Sequence, residues 1–180
     1  LAGMMETVED IPKHAIMSGL SWNWDQYGDY LDYLEESKPA VNVVGLVGHC
    51  AIRYYVMGDR AVDELATDEE IEQMAELVDK AVKAGAIGFS TSRVEGHRIP
   101  DGRPVPGTFS SEEELCRFAE IVRDNGGGLM QTVLGIEGDL VNNTTRITDL
   151  LRKIAEVGGN RLMTNTSVAI GWPARDGSQD

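Results

Sequence analysis

Four short apolar runs alternate with amphipathic helices along the chain, and this alternation is the feature that most restricts its fold. The runs occupy residues 41–47, 86–89, 129–134 and 162–168. The first run, VNVVGLV, is rich in β-branched residues and lacks polar alternation, which is typical of a parallel strand buried on both faces. The repeated strand–helix order predicts an α/β protein with a parallel sheet.

The helices between these runs carry clear start and stop signals. Thr67 and Glu70 form a capping box before an apolar stripe that ends at Gly85, and Ser111 with Glu114 begins a second helix in the same way. An earlier helix is expected to begin at Asp25. The carboxylates in the first turns are expected to be solvent-exposed and favoured by the helix dipole.

Two architectures fit this order: a doubly wound open sheet, or part of an eight-stranded barrel. No strand is followed by G-x-G-x-x-G or by a Gly-Lys-Ser/Thr phosphate loop, so a dinucleotide site is not predicted. The barrel is favoured by the number of predicted strands. It is also favoured by the first residues of the chain, which resemble the middle of a longer protein. We therefore predict a covering segment and first helix at 1–40, parallel (β/α) units of a TIM-type (β/α)8 barrel at 41–170, and a polar tail at 171–180.

Composition excludes several classes of partner. The formal net charge of -14 and the isoelectric point near 4.5 disfavour nucleic acid and anionic membrane surfaces. No window approaches the roughly 20 apolar residues of a membrane span, and no signal-peptide pattern opens the chain. Two cysteines, Cys50 and Cys116, are too few for a disulfide framework, so a reducing, cytoplasmic location is expected. Open sheet edges in a barrel fragment predict self-association as a homo-oligomer.

A long polar connection follows the second apolar run, within residues 85–111. Connections in α/β units usually have about two to six residues, so a loop of this length predicts binding or catalysis. The alternative is a solvated surface excursion. In either parallel architecture the active face lies at the carboxyl ends of the strands. The candidate small-molecule contacts at these ends and in the long loop are Arg53, Ser92, Arg93, His97 and Arg103.

His49 is the candidate catalytic residue. It closes the first strand beside two glycines and can present its imidazole to a cleft, although a hydrogen-bonded structural histidine is the alternative. The three histidines show neither H-x-H nor H-E-x-x-H spacing, and neither a C-x-x-C pair nor a G-x-S-x-G elbow is present. No metal ligand is therefore assigned within this chain.

Two segments carry a family signature. In VNVVGLVGHCAIRYYVMG, a strand ending in Val-Gly-His precedes Ile52, Arg53 and a Val-Met-Gly triplet. In AGAIGFSTSRVEGHRIPDGRPVPGTFSSEEEL, a Gly-x-Ser-Thr strand leads to a Pro-Gly pair and an acidic helix start. Together these segments resemble the D-aminoacylase (N-acyl-D-amino-acid deacylase) branch of the amidohydrolase superfamily. The opening METVEDIP, with Trp22 and Trp24, is similar to a covering segment of some members.

The resemblance implies a metal-dependent hydrolase-like barrel that hydrolyses non-peptide C–N amide bonds, such as those of N-acyl-D-amino acids. It also implies zinc in the complete protein, with the H-x-H pair before residue 1 and the catalytic Asp after residue 180. The two later metal histidines of the family correspond to Val133 and about Thr166 in this chain. Either the metal site is reduced or rearranged, with His97 as a replacement ligand or substrate contact, or the scaffold has changed its chemistry. The alternative function is a non-catalytic barrel domain that binds a small acidic ligand.

Overall fold

The computed structural model describes residues 2–126, 128–134, 140–159 and 162–165. Three helices precede the sheet: α1 (Ala2–Glu9), α2 (Lys13–Gly19) and α3 (Tyr27–Glu36). The first two units of the sheet comprise β1 (Val47–Gly48), α4 (His49–Met57), a 3-10 turn (Gly58–Ala61), α5 (Asp68–Ala84), β2 (Gly88–Arg93) and α6 (Glu112–Asp124). The chain continues through β3 (Leu129–Leu134), α7 (Leu140–Val157) and β4 (Leu162–Asn165).

The described strands form one parallel sheet in the order β1-β2-β3-β4. Strand-to-strand crossovers in parallel sheets are right-handed, so a sequential order places successive crossover helices on the same face. In agreement, α4 packs against α5, α5 against α6, and α6 against α7. A doubly wound sheet requires a point where the strand order reverses. No such reversal occurs among the described strands, and the predicted α/β fold with a parallel sheet is confirmed.

The core lies between the sheet and these helices. Phe89 of β2 packs against Phe118 of α6, with ring centroids 4.9 Å apart. The stripe of α5 that faces inward is buried, as its periodicity predicts: Ile71, Met74, Ala75, Val78 and Ala81. The helix-start predictions at Thr67 and Ser111 are confirmed, because each hydroxyl accepts a hydrogen bond from the backbone N–H three residues later.

The first strand is shorter than the sequence predicts. The prediction of a buried strand over residues 41–47 is wrong, since β1 covers only Val47–Gly48 and Val41 and Val44 are 71% and 69% exposed. Within the described sheet β1 is an edge strand. Before Val47, a hydrogen bond from the Ile87 N–H to the Gly45 carbonyl joins the chain to the residue that precedes β2. An apolar run is buried on both faces only where further layers cover it.

The beginning of α3 also differs from the prediction. Gln26, rather than Asp25, is its N-cap, because the Asp29 carboxylate accepts from the backbone N–H groups of both residues and so fixes the turn one position later. At the other end of the chain, residues 166–168 of the predicted fourth strand and the predicted tail at 171–180 lie outside the described residues. The division into a covering segment, barrel units and tail stays a prediction.

The N-terminal helix lies against the long loop. The Thr7 hydroxyl donates to the Arg98 carbonyl, and the Cys50 thiol lies 3.4 Å from the Met4 sulfur. Farther along, α3 packs against α5. These contacts attach the segment before β1 both to the strand-end side and to the helical layer. No helix in the described ranges is long and apolar enough to cross a membrane.

Candidate functional site

One face of the sheet is polar near the ends of the strands. Successive side chains of a strand point to opposite faces, so the buried residues of β2 and β3 identify the side that faces the helices. The buried side chains are those of Phe89, Thr91, Met130 and Thr132. The intervening positions lie on the opposite face, are only partly buried, and pair Ser90 with Gln131 and Ser92 with Val133.

Ser92 and His97 form a hydrogen-bonded pair at the end of β2. The Ser92 Oγ lies 2.9 Å from the His97 Nδ1, on the polar side of the sheet. The backbone of His97 is fixed by bonds of its N–H to the Val94 carbonyl (3.1 Å) and of its carbonyl to the Val105 N–H (3.0 Å). Its Nε2 has no hydrogen-bond partner in the part of the chain that the structure describes. An imidazole held at one nitrogen can donate or accept a proton at the other.

Arg93 is the last residue of β2 and connects the strand end to the start of α6. Its Nη1 donates to the Ser110 carbonyl (2.9 Å) and to the Ser110 Oγ (3.1 Å). Burial lowers the pKa of the half-buried Arg93, and the positive charge of Arg146 on α7 lowers it further. The guanidinium nevertheless stays charged at neutral pH. Arg93 therefore presents a positive charge at the carboxyl end of the sheet.

His49 occupies the interior, not a cleft. Its side chain is 1% exposed and contacts the rings of Phe89 and Phe118. Its Nδ1 lies 2.8 Å from the Thr91 Oγ1 and its Nε2 lies 2.6 Å from the Glu114 Oε1. Both ring nitrogens are thus engaged, which corresponds to the hydrogen-bonded structural alternative and corrects the expectation that this imidazole faces the substrate.

Arg53 belongs to the same buried network. Its guanidinium, 2% exposed, pairs with the second carboxylate oxygen of Glu114. Its Nε donates to the Ala61 carbonyl (3.0 Å) and its Nη2 to the Glu64 carbonyl (2.5 Å). Because these donors are used inside the protein, Arg53 is removed from the candidate substrate contacts. The predicted exposure of the helix-start carboxylates is also wrong for Glu114, which is fully buried.

The charges in this network follow from burial and pairing. Burial lowers the pKa of His49, although Glu114 acts in the opposite direction. Burial alone would raise the pKa of Glu114, but the hydrogen bonds and charges of His49 and Arg53 lower it below its usual value. We assign a neutral imidazole whose Nε2–H donates to an ionised Glu114 and whose Nδ1 accepts from the Thr91 hydroxyl. The assignment satisfies both ring nitrogens.

Gly107 brings the end of the long loop onto His49. Its φ is +94°, and a Cβ at this position would lie 2.6 Å from the His49 Nδ1. Glycine therefore suits the position both for its backbone conformation and for its lack of a side chain. The buried imidazole of His49 thus brings together three parts of the family signature. They are the Val-Gly-His strand end, the Pro-Gly pair and the acidic helix start.

Arg103 is exposed and already neutralised. Its guanidinium pairs with Asp101 of the same loop (2.8 Å) and with Asp63, which follows the 3-10 turn. It therefore braces the loop against the rest of the chain. Arg103 is thus already paired within the described chain, and its role as a substrate contact stays a prediction.

The described residues do not by themselves form a metal centre. They contain no cluster of three or more His, Cys, Asp or Glu side chains that could hold an ion. Both nitrogens of His49 are engaged, and burial raises the pKa of Cys50 to about 11, so its thiol stays protonated at neutral pH. Val133 lies on the polar face as the register partner of Ser92, whereas Thr166 lies outside the described residues.

Comparison with known proteins identifies relatives of the chain. No protein-family model matches it. A D-aminoacylase of Alcaligenes xylosoxydans xylosoxydans is 38% identical over 127 residues, which cover 71% of this chain and 24% of that enzyme. An N-acyl-D-aspartate deacylase of the same organism is 35% identical over 113 residues, or 63% of this chain and 20% of that protein. The chain is a homologue of D-aminoacylases and N-acyl-D-amino-acid deacylases.

Two further comparisons extend the set of relatives. An uncharacterised protein of Mycobacterium tuberculosis is 30% identical over 135 residues, which cover 69% of this chain and 22% of that protein. A D-aminoacylase crystal structure, described as defining a novel subset of amidohydrolases, matches 77% of this chain and 26% of its own, with 29% identity and a TM-score of 0.63. The chain thus spans about a quarter of the length of its deacylase relatives. The sequence-based recognition is confirmed.

Proposed function

We propose that the complete protein containing this chain is a hydrolase that removes the acyl group from N-acyl-D-amino acids. The observation that carries the proposal is the homology to D-aminoacylase over the segment that contains the polar strand ends. In the reaction, water adds to the acyl carbon and the C–N bond breaks. The products are a carboxylate and the ammonium form of the amino acid, so a proton must reach the departing nitrogen.

The fold supports this proposal through its topology. A sequential parallel sheet with its crossover helices on one face is the arrangement found in (β/α)8 barrels, whose opposite face lines the barrel interior. We propose that the chain supplies consecutive (β/α) units of a TIM-type barrel. In this arrangement Ser90, Ser92 and Gln131 lie on the interior side, and the loop that contains His97 lies above it.

Within this site the Ser92–His97 pair is suited to contact the reacting amide. The 2.9 Å hydrogen bond fixes the imidazole through Nδ1 and leaves Nε2 for a substrate group or a water molecule. A positioned imidazole can hold or move a proton during hydrolysis. A metal is also proposed in the complete protein, because a homologous D-aminoacylase structure concerns a binuclear metal center, and zinc is the metal that the family resemblance implies. Since the described residues lack a metal-binding cluster, such zinc would need ligands from outside them.

The complete protein tests this proposal with N-acetyl-D-amino acids and their L enantiomers as substrates. We expect hydrolysis of the D series, with kcat/KM lowered about 100-fold or more in His97→Ala. Ser92→Ala should lower it about tenfold, since it removes one hydrogen bond to the ring. His14→Ala is the matched control, because His14 is an exposed histidine on α2. Wild-type kinetics in both site variants would remove the pair from the site.

The non-catalytic alternative has a distinct signature. A barrel domain that only binds a small acidic ligand would bind N-acetyl-amino acids in calorimetry and release no acetate. Turnover of any N-acyl-D-amino acid that depends on His97 excludes this alternative. Binding without turnover, in protein supplied with zinc, would favour it over the hydrolase.

A further inference from the structure

His97 lies at the base of a hairpin formed by residues 97–105. The Val105 N–H donates to the His97 carbonyl (3.0 Å) and the Ile99 N–H donates to the Arg103 carbonyl (2.8 Å), so the two arms of the hairpin pair with each other. A two-stranded hairpin is only marginally stable by itself, so its position depends on the elements that it contacts. The backbone that carries the His97 imidazole therefore needs support from outside the hairpin.

A cleft lies between the hairpin and α4. Its volume is about 220 Å³, and it is lined by Tyr54 of α4 and by Val62, as well as by Ile99 and Pro100 of the hairpin. Atoms that face each other across a gap lose their dispersion contacts. Direct packing on α4 therefore contributes little to the position of the hairpin.

Helix α1 contacts both α4 and the hairpin, and so connects the two. Met4 of α1 is buried, and its sulfur lies 3.4 Å from the Cys50 thiol of α4. One turn later, the Thr7 hydroxyl donates to the carbonyl of Arg98, the residue that follows His97. A hydrogen bond from α1 thus restrains the hairpin backbone directly beside the imidazole.

A close approach and an ion pair complete the attachment of the hairpin. A Cβ at Gly3 would lie 3.3 Å from the Pro100 Cγ, so glycine lets α1 approach the hairpin turn closely. The second arm is held by the pairing of Arg103 with Asp63, but both side chains are exposed, and such pairs are weak restraints. Since the buried Met4 anchors α1, we expect this helix to be the stronger restraint.

Resting on the function proposed above, we propose that Thr7 and Gly3 are positioning residues that hold the His97 imidazole in its catalytic orientation. The bond to Ser92 orients the ring, and α1 fixes the backbone from which the ring extends. Proton transfer requires a well-defined geometry, and a misplacement of about 1 Å can lower the rate greatly. Helix α1 therefore acts on the reaction through the hairpin.

Kinetics of the complete protein with an N-acetyl-D-amino acid test the role of Thr7. Thr7→Val keeps the branched side chain but loses the hydroxyl, and should lower kcat roughly three- to tenfold with KM unchanged. Thr7→Ser should restore the wild-type kcat. In a His97→Ala background, Thr7→Val should have no further effect, because the positioned group is gone. The same loss in both backgrounds would show a general structural effect and overturn the inference.

A second variant displaces α1 without removing its hydrogen-bonding group. Gly3→Leu places a side chain against Pro100 and should lower kcat at least as much as Thr7→Val does. Gly19→Leu is the matched control on α2, because a Cβ at Gly19 meets no atom within 4 Å, and it should leave kcat unchanged. A wild-type kcat in Gly3→Leu would contradict the positioning role of α1.

A hydroxyl control is also present on α2. The Ser18 hydroxyl donates to the His14 carbonyl of its own helix (2.7 Å), as the Thr7 hydroxyl also does to the Met4 carbonyl (3.0 Å). Ser18→Ala should leave kcat unchanged. A loss equal to that of Thr7→Val would attribute the effect to helix stability and would overturn the inference.

Hydrogen exchange decides whether α1 restrains the hairpin independently of the reaction. In the complete protein, the amides of Ile99 and Val105 should exchange roughly three- to tenfold faster in Thr7→Val than in wild type or Thr7→Ser. Equal rates in all three proteins would contradict the inference. Wild-type protein that hydrolyses no N-acyl-D-amino acid would refute the proposed function instead, and the exchange rates would still show whether α1 holds the backbone of His97.

Discussion

The Glu114 Oε1 lies 2.6 Å from the His49 Nε2, and both side chains are almost completely inaccessible to solvent. The second oxygen of the same carboxylate pairs with Arg53. One carboxylate near the start of α6 thus accepts hydrogen bonds from two side chains of α4 and neutralises the positive charge of Arg53. Removing one member of a buried ion pair leaves its partner uncompensated, which makes this contact a sensitive point of the fold.

Replacing Glu114 by Gln should therefore destabilise the protein strongly. The amide keeps the shape of the side chain but leaves the Arg53 charge unpaired, and we expect the free energy of unfolding to fall by about 3–5 kcal/mol. Urea denaturation of the complete protein measures this loss. Glu113→Gln changes the neighbouring exposed carboxylate and should leave the midpoint unchanged. Equal midpoints for the two variants would show that the pair does not stabilise the fold.

The same network predicts a loss of stability in acid. Burial lowers the pKa of His49 below 6.5, so below pH 6.5 the unfolded chain takes up a proton that the folded chain excludes. The contribution of His49 is complete above pH 6.5 and is lost as pH falls through the folded pKa. Glu114 acts in the same direction below 4.5, because its folded pKa is also lowered.

Unfolding free energies measured from pH 7.5 to pH 5 check this prediction. His49→Gln should be less stable than wild type and should also show a shallower decline toward acid pH. His14→Ala is the control, because His14 is an exposed histidine of α2 outside this network. A decline in His49→Gln as steep as that of wild type would assign the pH dependence to other groups.

Two glycines with nearly the same φ angle allow the effect of backbone strain to be separated from the effect of a side-chain contact. Gly107 has φ +94° and Gly102 has φ +92°, but only Gly107 would place a Cβ against another group, the His49 imidazole, at 2.6 Å. Alanine at either position meets the backbone penalty of about 1–3 kcal/mol. Gly107→Ala should lose more, by roughly a further 1–3 kcal/mol, because the loop must move away from His49. Thermal unfolding of both variants measures the difference, and equal losses would contradict the contact.

The parts of the fold that the sequence predicts well are those governed by local signals. Thr67 and Ser111 begin helices through bonds to residues only three positions away, and the stripe from Ile71 to Ala81 depends on helical periodicity alone. The first strand fails because its burial depends on layers that the run cannot specify. Val41 and Val44 have strand-forming side chains, but nothing in the described chain covers them.

The candidate site shows the same division. The rule that parallel sheets place function at the carboxyl ends of strands selects Ser92, Arg93 and His97, and the structure brings the Ser92 hydroxyl within 2.9 Å of the His97 ring. Their roles stay predictions. The rule cannot tell that His49, at an equivalent strand end, turns toward Glu114, since that contact spans 65 residues. The sequence signal at this position is the pair Ser111 and Glu114, which by itself predicts only a helix start. The burial of Glu114 depends on Arg53 and His49 approaching from another helix, a tertiary property.

Arg53 provides a last prediction, because arginine and lysine are not equivalent at this position. Its three guanidinium nitrogens contact Glu114 and the carbonyls of Ala61 and Glu64, a fork that a single ammonium group cannot reproduce. Arg53→Lys should keep the charge yet lower the free energy of unfolding by about 1–3 kcal/mol, since a buried carbonyl loses its donor.

Arg60→Lys is the matched control, because Arg60 is exposed and pairs with Glu64 and Glu70 at the surface. It should leave the unfolding midpoint unchanged. A double-mutant cycle of Arg53→Lys with Glu114→Gln, measured by urea denaturation of the complete protein, should show non-additive losses, because both changes act on one network. Additive losses would mean that Arg53 stabilises the fold through its backbone contacts alone and that its pairing with Glu114 contributes nothing.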